Sequence, residues 1–421
     1  MVGSIPPFLT IVLLALGAGA VLVFAARRFD LMLLLLVASA PLETVFQISS
    51  NPLITLTKVT GVLAFGGFLI HAIITRRKLR FAWTHAVVVG ILLVALVSTV
   101  QARDDSLGIV TTFRYGAFAA LYLVVSQLVG EHRLLRRIVW ALSLAAAAAG
   151  IFALQQYLTE ASWAAVTPFG DPNDDAFTWI TTLPLTLWLF TSSRKATRPV
   201  LVALVAIMLT ATLYSLSRGA LVGLGAGILW QILVERRHIR LLAGAAVAAL
   251  VASIIVLNTD PDLLETSLRG KGKVATYNVE SRLDAWTTAA DLTLRNPLLG
   301  VGPGNFQLYY LSETGRPPGS KGVGVVHNAY LDVAAELGVL GLLLFLAYLV
   351  GSFFQLSGAR RSGAGPPGLA AAVRTALVMA GVASMTVSEQ YFQPFWLLGG
   401  IGAALWAESR ERRSEPALTL P

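Results

Sequence analysis

The chain has 421 residues, of which 56% are hydrophobic and 13% charged, with a mean hydropathy of +0.71. Ordinary soluble domains carry about 25% charged residues, so a chain of this length could not hide its apolar surface in water. The composition excludes a soluble globular protein and specifies an all-α polytopic membrane protein. The absence of cysteine excludes disulfides, thiolate metal sites and a cysteine nucleophile. The net charge of +9 implies no nucleic-acid partner, because the basic residues are arranged as topology signals in a membrane lipid environment.

Apolar runs recur at 8–26, 29–43, 58–75, 85–100, 112–130, 134–157, 175–193, 199–216, 219–234, 240–257, 327–355, 369–389 and 391–407. Several fall short of the ~20 residues that a straight span needs. The run at 29–43 and the segment after it are candidates for a re-entrant element, so about 12–13 transmembrane helices are expected. The first run lacks a basic segment before it, and its double arginine follows it, so it reads as a retained span. Three segments result: N-terminal membrane helices over 1–257, a long connection over 258–326, and C-terminal membrane helices with a tail over 327–421.

Connections between the runs alternate in charge. Of 32 Lys and Arg, 21 lie in one set, made of Arg27-Arg28, "RRKLR" at 76–80, "EHRLLRR" at 131–137, "RKATR" at 194–198, "ERRHIR" at 235–240, "ARR" at 359–361 with Arg374, and "RERR" at 410–413. The other short connections hold only Lys58, Arg103, Arg114 and Arg218. Basic clusters in short loops stay cytoplasmic. That assigns the N-terminus, the 258–326 connection and the sequences "RDD", "FGDPNDDAF" and "SRG" to the exterior, with the C-terminus inside.

Within the long connection, "DPDLLETSLRGKGKVATYN" reads as irregular. "ESRLDAWTTAADLTLRNP" reads as a helix opened by Ser281 and Asp284 in a variant capping box and closed by Asn296-Pro297. Leu283, Trp286, Ala290 and Leu294 recur at helical spacing and suggest its apolar stripe. In "LLGVGPGNFQLYY", the glycines 300, 302 and 304 fit a tight turn better than a phosphate loop, since no clear strand or lysine accompanies them.

Three charged or titratable residues stand out on the expected exterior side. Arg218 sits at the end of an apolar run on the arginine-poor side; it either snorkels to head groups or meets a specific anion. Arg282 lies on the 281–295 helix, where Asp284 and Glu280 offer a local pairing. His327, followed by Asn328 and Tyr330, stands where a glycine-dotted loop meets a long apolar run. It either bonds to the helix start or accepts a proton near neutral pH. Together two arginines can hold an anionic leaving group while a neutral imidazole activates a hydroxyl. A metal-dependent alternative would use Asp260 and Asp262, or Asp171, Asp174 and Asp175, although aspartate beside proline is common turn chemistry. Asp332 and Glu336 fit hydrogen-bonded packing within the bundle.

Four stretches, "FGDPNDDAF", "YSLSRGALVGLGAGIL", "SRLDAWTTAADLTLRNPLLGVGPGNF" and "VVHNAYLDVAAELGVLGLLLFL", resemble in order the O-antigen ligase and O-antigen polymerase superfamily of bacterial envelope glycosyltransferases. The later "EQYFQPFWLLGGIGAAL" adds to the likeness, which covers about 170–400; the first 165 residues match in hydropathy alone. The resemblance implies a helical bundle of the membrane glycosyltransferase (GT-C) type with one long exterior loop. It implies an undecaprenyl-diphosphate-linked glycan donor, with no metal and no cofactor. Catalysis would rest on Arg218, Arg282 and His327, with both arginines on the donor diphosphate. Asn173, Asn328 and Tyr330 would complete the substrate site at the outer face of the bacterial inner membrane. A ligase transfers the glycan to lipid A core or another envelope acceptor; a polymerase transfers it to a second lipid-linked repeat. The ligase reading is favoured, with the polymerase as alternative. A secondary transporter fits less well, because no repeated halves are evident and the cations lie at one face rather than near the midplane.

Overall fold

Side-chain caps mark several helix starts. Thr55 accepts the backbone N–H of Lys58 at 3.3 Å, Asp104 that of Leu107 at 3.1 Å and Asp171 that of Asn173 at 2.7 Å. Each satisfies a donor that the first helical turn leaves without an intrahelical partner. The computed structural model describes residues 19–414 apart from 20, 47, 50–53, 160–163, 169, 237–243, 245–246, 248–250, 252–253, 255–262, 316–324 and 389. For 263–264, 266–268 and 270–280 it describes the backbone only. The runs at 8–26 and 240–257 lie largely outside the described residues, and Asp260 and Asp262 wholly so.

The principal helices are α1 (Phe29–Glu43), α2 (Leu56–Ile74), α3 (Trp83–Thr99), α4 (Asp105–Ser126), α5 (His132–Thr159), α6 (Pro172–Ser192) and α7 (Arg198–Tyr214). There follow α8 (Arg218–Trp230), continued by a π turn over Gln231–Glu235, then α9 (Leu263–Arg295), α10 (Phe306–Thr314), α11 (Ala329–Ser362), α12 (Leu369–Ala383) and α13 (Gln393–Ser414). Among the described residues six helices are long and apolar enough to cross a membrane: α2, α4, α5, α7 with its preceding 3₁₀ turn, α8 with its π turn, and α11. The apolar helices α3 and α12 are shorter. The chain is an all-α polytopic membrane protein.

Both ends of the bundle are identifiable from side-chain contacts. At one end Arg77 donates to the Gln127 carbonyl at 2.6 Å, Arg137 meets Asp30 at 3.0 Å, His132 meets Glu408 at 2.8 Å, and Arg80 pairs with Glu411. Arg360 and Arg374 share Glu235 at 3.2 and 3.1 Å. The basic connections grouped from sequence thus gather on one face of the bundle. At the other end, Ser217, Asp171 and His327 mark the starts of α8, α6 and α11.

Small residues set how closely the helices approach. Gly219, Gly223 and Gly227 form one ridge of α8, and a Cβ at each would come within 3 Å of α12 or the turn after it, at Thr386, Ala383 and Met379. This is close backbone packing of the kind small-residue repeats allow between membrane helices. Trp179 and Trp188 of α6 and Trp396 of α13 are fully buried. Each indole N–H finds a carbonyl, on Ala146, Pro367 and Gln390 at 3.0, 3.0 and 3.1 Å, as buried polar groups require.

One feature was not visible in the apolar pattern. The run 327–355 is not a straight helix: α11 breaks at Gly338, with φ 69° and ψ −175°. The break frees backbone groups, and the glycine-rich connection after α9 takes them up. Val301 and Gly302 donate to the carbonyls of Ala335 and Glu336 at 2.9 and 3.0 Å, and Val339 donates to Pro297 at 2.8 Å. Gly300, Gly302 and Gly304 have φ of 66°, 98° and 73°. A Cβ on Gly300 would stand 2.3 Å from the backbone of Glu336. The turn reading holds, with a reason: only glycine fits both the dihedral and the contact. On the connection's other side, Ser98 donates to Leu299 O at 2.5 Å and Gln101 to Gly300 O at 2.7 Å. Asp332 and Glu336 are buried acceptors, Asp332 from Gln390 at 2.9 Å and Glu336 from the Tyr391 hydroxyl.

Two expectations for 258–296 are corrected. The segment after 262 is helical, and α9 runs from Leu263 through Ser281 without a start there, so Ser281 and Asp284 form no capping box. Gly270 and Gly272 suggested irregular chain, but isolated glycines cost only about 1 kcal/mol each in a helix. The packed stripe also differs. Leu283 and Leu294 are 54% and 80% exposed, whereas Ser281, Ala285, Ala289 and Leu292 are buried. Small side chains let α9 lie close against α11, with Phe306 and Tyr310 of α10 completing the cluster. Of the expected stripe, Trp286 packs here.

Candidate active site

Arg218 is the first residue of α8, and the turn before it is tightly specified. Leu216 has φ 54°, an uncommon conformation for a bulky side chain. Ser217 follows as N-cap, its hydroxyl accepting Ala220 N–H at 3.4 Å and donating to Asn173 Oδ1 at 2.8 Å. Asn173 in turn donates through Nδ2 to Asp171 Oδ1 at 2.9 Å. A continuous line of hydrogen bonds therefore joins the start of α6 to the residue that places Arg218.

The start of α11 repeats the device. His327 has φ 52°, and Asn328 caps the helix by accepting from Tyr330 N and Leu331 N at 3.1 and 3.2 Å. Ala329 N–H is held by the carbonyls of Ser384 and Val387 at 2.9 and 3.0 Å, and the Tyr330 hydroxyl donates to Gly381 O at 2.7 Å. Sparsely populated backbone conformations persist where surrounding contacts over-determine them, and they concentrate at functional sites.

Arg282 reaches the same place from α9. It precedes Trp286 by four residues, so the two share a helix face. Trp286 Nε1 donates to Val326 O at 2.9 Å, next to His327. The local pairing of Arg282 with Asp284 is not formed; the side chain of Glu280 lies outside the described set. Instead Arg282 is half-buried and within the electrostatic reach of Asp171 and Arg218. Burial pushes its pKa down and Arg218 adds to this, while Asp171 opposes it. An arginine nonetheless stays charged.

His327 feels the same groups. Burial first, and the Arg282 charge second, push the imidazole down to about 4, with Asp171 pulling the other way. At neutral pH it is therefore uncharged, and among the described residues neither ring nitrogen has a hydrogen-bond partner. Arg218, Arg282 and His327 thus form one electrostatic cluster, and the starts of α6, α8 and α11 surround it. Helix N-termini carry partial positive charge that adds to an anion-favouring field.

The remaining expected site residues are present in the cluster's frame, each hydrogen-bonded to protein. Asn173 bridges Asp171 and Ser217, Asn328 caps α11, and Tyr330 ties α11 to α12. Sequence reasoning read Asp171 as turn chemistry, or with Asp174 and Asp175 as a metal-ligand alternative. Its "DPN" context gave the cap, but nothing in the local sequence shows that its charge falls on Arg282 and His327. Among the described residues no group of three or more His, Asp or Glu is arranged to hold a metal ion. Asp175 is taken up by Thr167, whose N–H and hydroxyl both donate to it at 2.8 Å.

Residues 203–346 match the family model described as O-antigen ligase. That segment is similar to the O-antigen ligase family. The match contains Arg218, Arg282 and His327, and it includes three of the four stretches that carry the resemblance; "FGDPNDDAF" precedes it. It supports membership of the O-antigen ligase and polymerase superfamily, and hence an activity of that general type in envelope polysaccharide assembly, acting on lipid-linked glycan and a glycan acceptor. No curated protein matches the chain.

Proposed function

We propose that the domain is an inverting, metal-independent glycosyltransferase. It moves glycan from undecaprenyl diphosphate to a hydroxyl of an envelope acceptor such as lipid A core, at the outer face of the bacterial inner membrane. The observation that carries this reading is the cluster itself. Two guanidinium groups without carboxylate partners within ion-pair distance, among the described residues, stand beside an imidazole kept neutral, opposite the basic end of the bundle. The basic-residue rule then assigns the cluster to the exterior.

In this mechanism Arg218 and Arg282 hydrogen-bond the donor diphosphate and stabilise the charge that develops as it leaves. His327 takes the proton of the acceptor hydroxyl, whose oxygen attacks the anomeric carbon from the face opposite the departing diphosphate. One C–O bond forms and one breaks, and the configuration inverts. Asp171 partly offsets Arg282 before the donor binds. Donor binding then brings negative charge to the cations, which raises the basicity of His327 when it is needed. Asn173, Asn328 and Tyr330 hold the frame.

The deciding experiment supplies purified full-length protein with undecaprenyl-diphosphate-linked glycan and two acceptors, lipid A core and a second lipid-linked repeat. Glycan joined to lipid A core supports the ligase, and glycan joined to the lipid-linked repeat supports the polymerase. Consumption of donor with neither product, or no turnover at all, overturns the reading.

A further inference from the structure

A second pair of cations stands away from this cluster. Lys58 lies in the first turn of α2, and Arg114 lies nine residues beyond the start of α4. The two helices pack together, and the two charges act on one another. At 1.5 Å per residue Arg114 is about 14 Å along its helix, and that helix is long and apolar enough to cross a membrane. Arg114 is exposed and Lys58 half-buried, and the surrounding surface is greasy: Val59 and Val62 of α2 and Ile109 and Phe113 of α4 are all exposed.

Two like charges brought together on an apolar face need an account. A cation on the apolar surface of a membrane helix is costly, and a neighbouring cation adds repulsion. Glu43 acts on Lys58 and offsets one of the two charges, its carboxylate also accepting Thr57 N–H at 3.1 Å. Among the described residues Arg114 has no hydrogen bond or ion pair, so its charge has no counter-ion there. Independent snorkelling would carry each long side chain to the head groups separately; it does not account for two charges on packed helices that act on one another.

We infer that Lys58 and Arg114 form a lateral site for the phosphate group of a membrane lipid, whose hydrocarbon lies along the exposed faces of α2 and α4. A phosphate supplies the missing negative charge and takes charge-assisted hydrogen bonds from both cations, while Val59, Val62, Ile109 and Phe113 offer the tail an apolar bed. The site is separate from Arg218 and Arg282 and does not depend on which reaction they serve.

The test is native mass spectrometry of the full-length protein in micelles with added phosphatidylglycerol, lipid A or diacylglycerol, the last lacking phosphate. Lys58→Gln/Arg114→Gln should lower retained phosphatidylglycerol or lipid A about tenfold, as loss of charge-assisted bonds to a phosphate implies, and leave diacylglycerol unchanged. Arg114→Gln alone, at an exposed position, should show part of the loss. Lys58→Arg/Arg114→Lys should retain binding, and Arg218→Gln should not affect this site. Loss confined to lipid A would assign it to a phosphorylated glycolipid, and loss of both lipids to headgroup phosphate generally; either supports the site. Unchanged retention of both phospholipids, or an equal fall for diacylglycerol, would overturn it.

Discussion

The two ends of the bundle use the same side chain in opposite ways. At the basic end Arg77, Arg80, Arg137, Arg360, Arg374 and Arg412 each reach a carboxylate or carbonyl, and Arg374 also lies over Trp230 and Phe353 at 5.2 and 4.8 Å. At the site end Arg103 and Arg295 are likewise engaged, by Ser312 and Glu313 at 3.2 and 3.0 Å. Among the described residues Arg218 and Arg282 are not; they face each other's field and that of Asp171. An arginine with a partner fastens helices, whereas one left without a partner beside another cation is arranged for an anion that arrives from elsewhere.

This contrast is easiest to break at His327. His327→Ala should lower transfer by about 10²–10⁴-fold, the usual effect of losing a general base, while membrane insertion and donor binding persist. Transfer at near-normal rates by a well-expressed variant would remove the imidazole from the mechanism.

Arg374→Met should do the reverse. Removing one partner of the buried Glu235 pair is expected to destabilise the fold by on the order of 3 kcal/mol, seen as a lower thermal midpoint, with donor affinity unchanged. Adding Glu235→Met should restore part of the loss. An effect on donor affinity instead would mean that the basic end is not merely structural.

Arg218→Lys and Arg282→Lys should each weaken transfer roughly 10–100-fold, because an ammonium cannot present the planar fork that grips phosphate oxygens. Donor titrations on both variants would check this, and normal affinity would return the two arginines to the class of surface residues.

Acidity sharpens the comparison further. A base must be unprotonated, and burial together with the Arg282 charge pushes His327 down to about 4, so activity is present above that value and lost as pH falls through it. The acid limb of kcat/KM should therefore lie well below the ordinary histidine value of about 6.5. Since Arg282 contributes to the depression, Arg282→Gln should move that limb upward; an unmoved limb would detach the two residues from one another. Excess EDTA should have the smallest effect, leaving transfer unchanged. Loss in EDTA with recovery on magnesium would bring Asp171 or the Asp260/Asp262 pair forward as ligands.

Much of this was legible in the sequence because charge is conspicuous where apolar residues dominate. Arg218, Arg282 and His327 could be singled out, and the basic connections sorted onto one face, without coordinates. What could not be read depends on neighbours distant in the chain. Gly338 is one glycine in an apolar run, and its break becomes stable only because Pro297, Val301 and Gly302 take up the freed backbone groups. On α9 the large residues Leu283 and Leu294 drew the apolar stripe toward the wrong face. The face that packs is lined by Ala285 and Ala289, whose value is closeness rather than hydrophobic area. Asp171 looked like a turn because its role is electrostatic, exerted across space on two residues more than a hundred positions later.

The stitched helix break also sets a timetable for the chain as it is made. Ser98 bonds to a carbonyl 201 residues later, and Glu336 of the broken helix is gripped by Tyr391, 55 residues further on. The α3–α4 corner enters the membrane long before its partners exist, and the segment carrying Arg282 has no finished dock until α13 begins to follow. The chain must therefore have run on through Ser384, Val387 and Tyr391 before every contact that fixes α11 is in place, so products that stop earlier carry Arg218, Arg282 and His327 without those contacts.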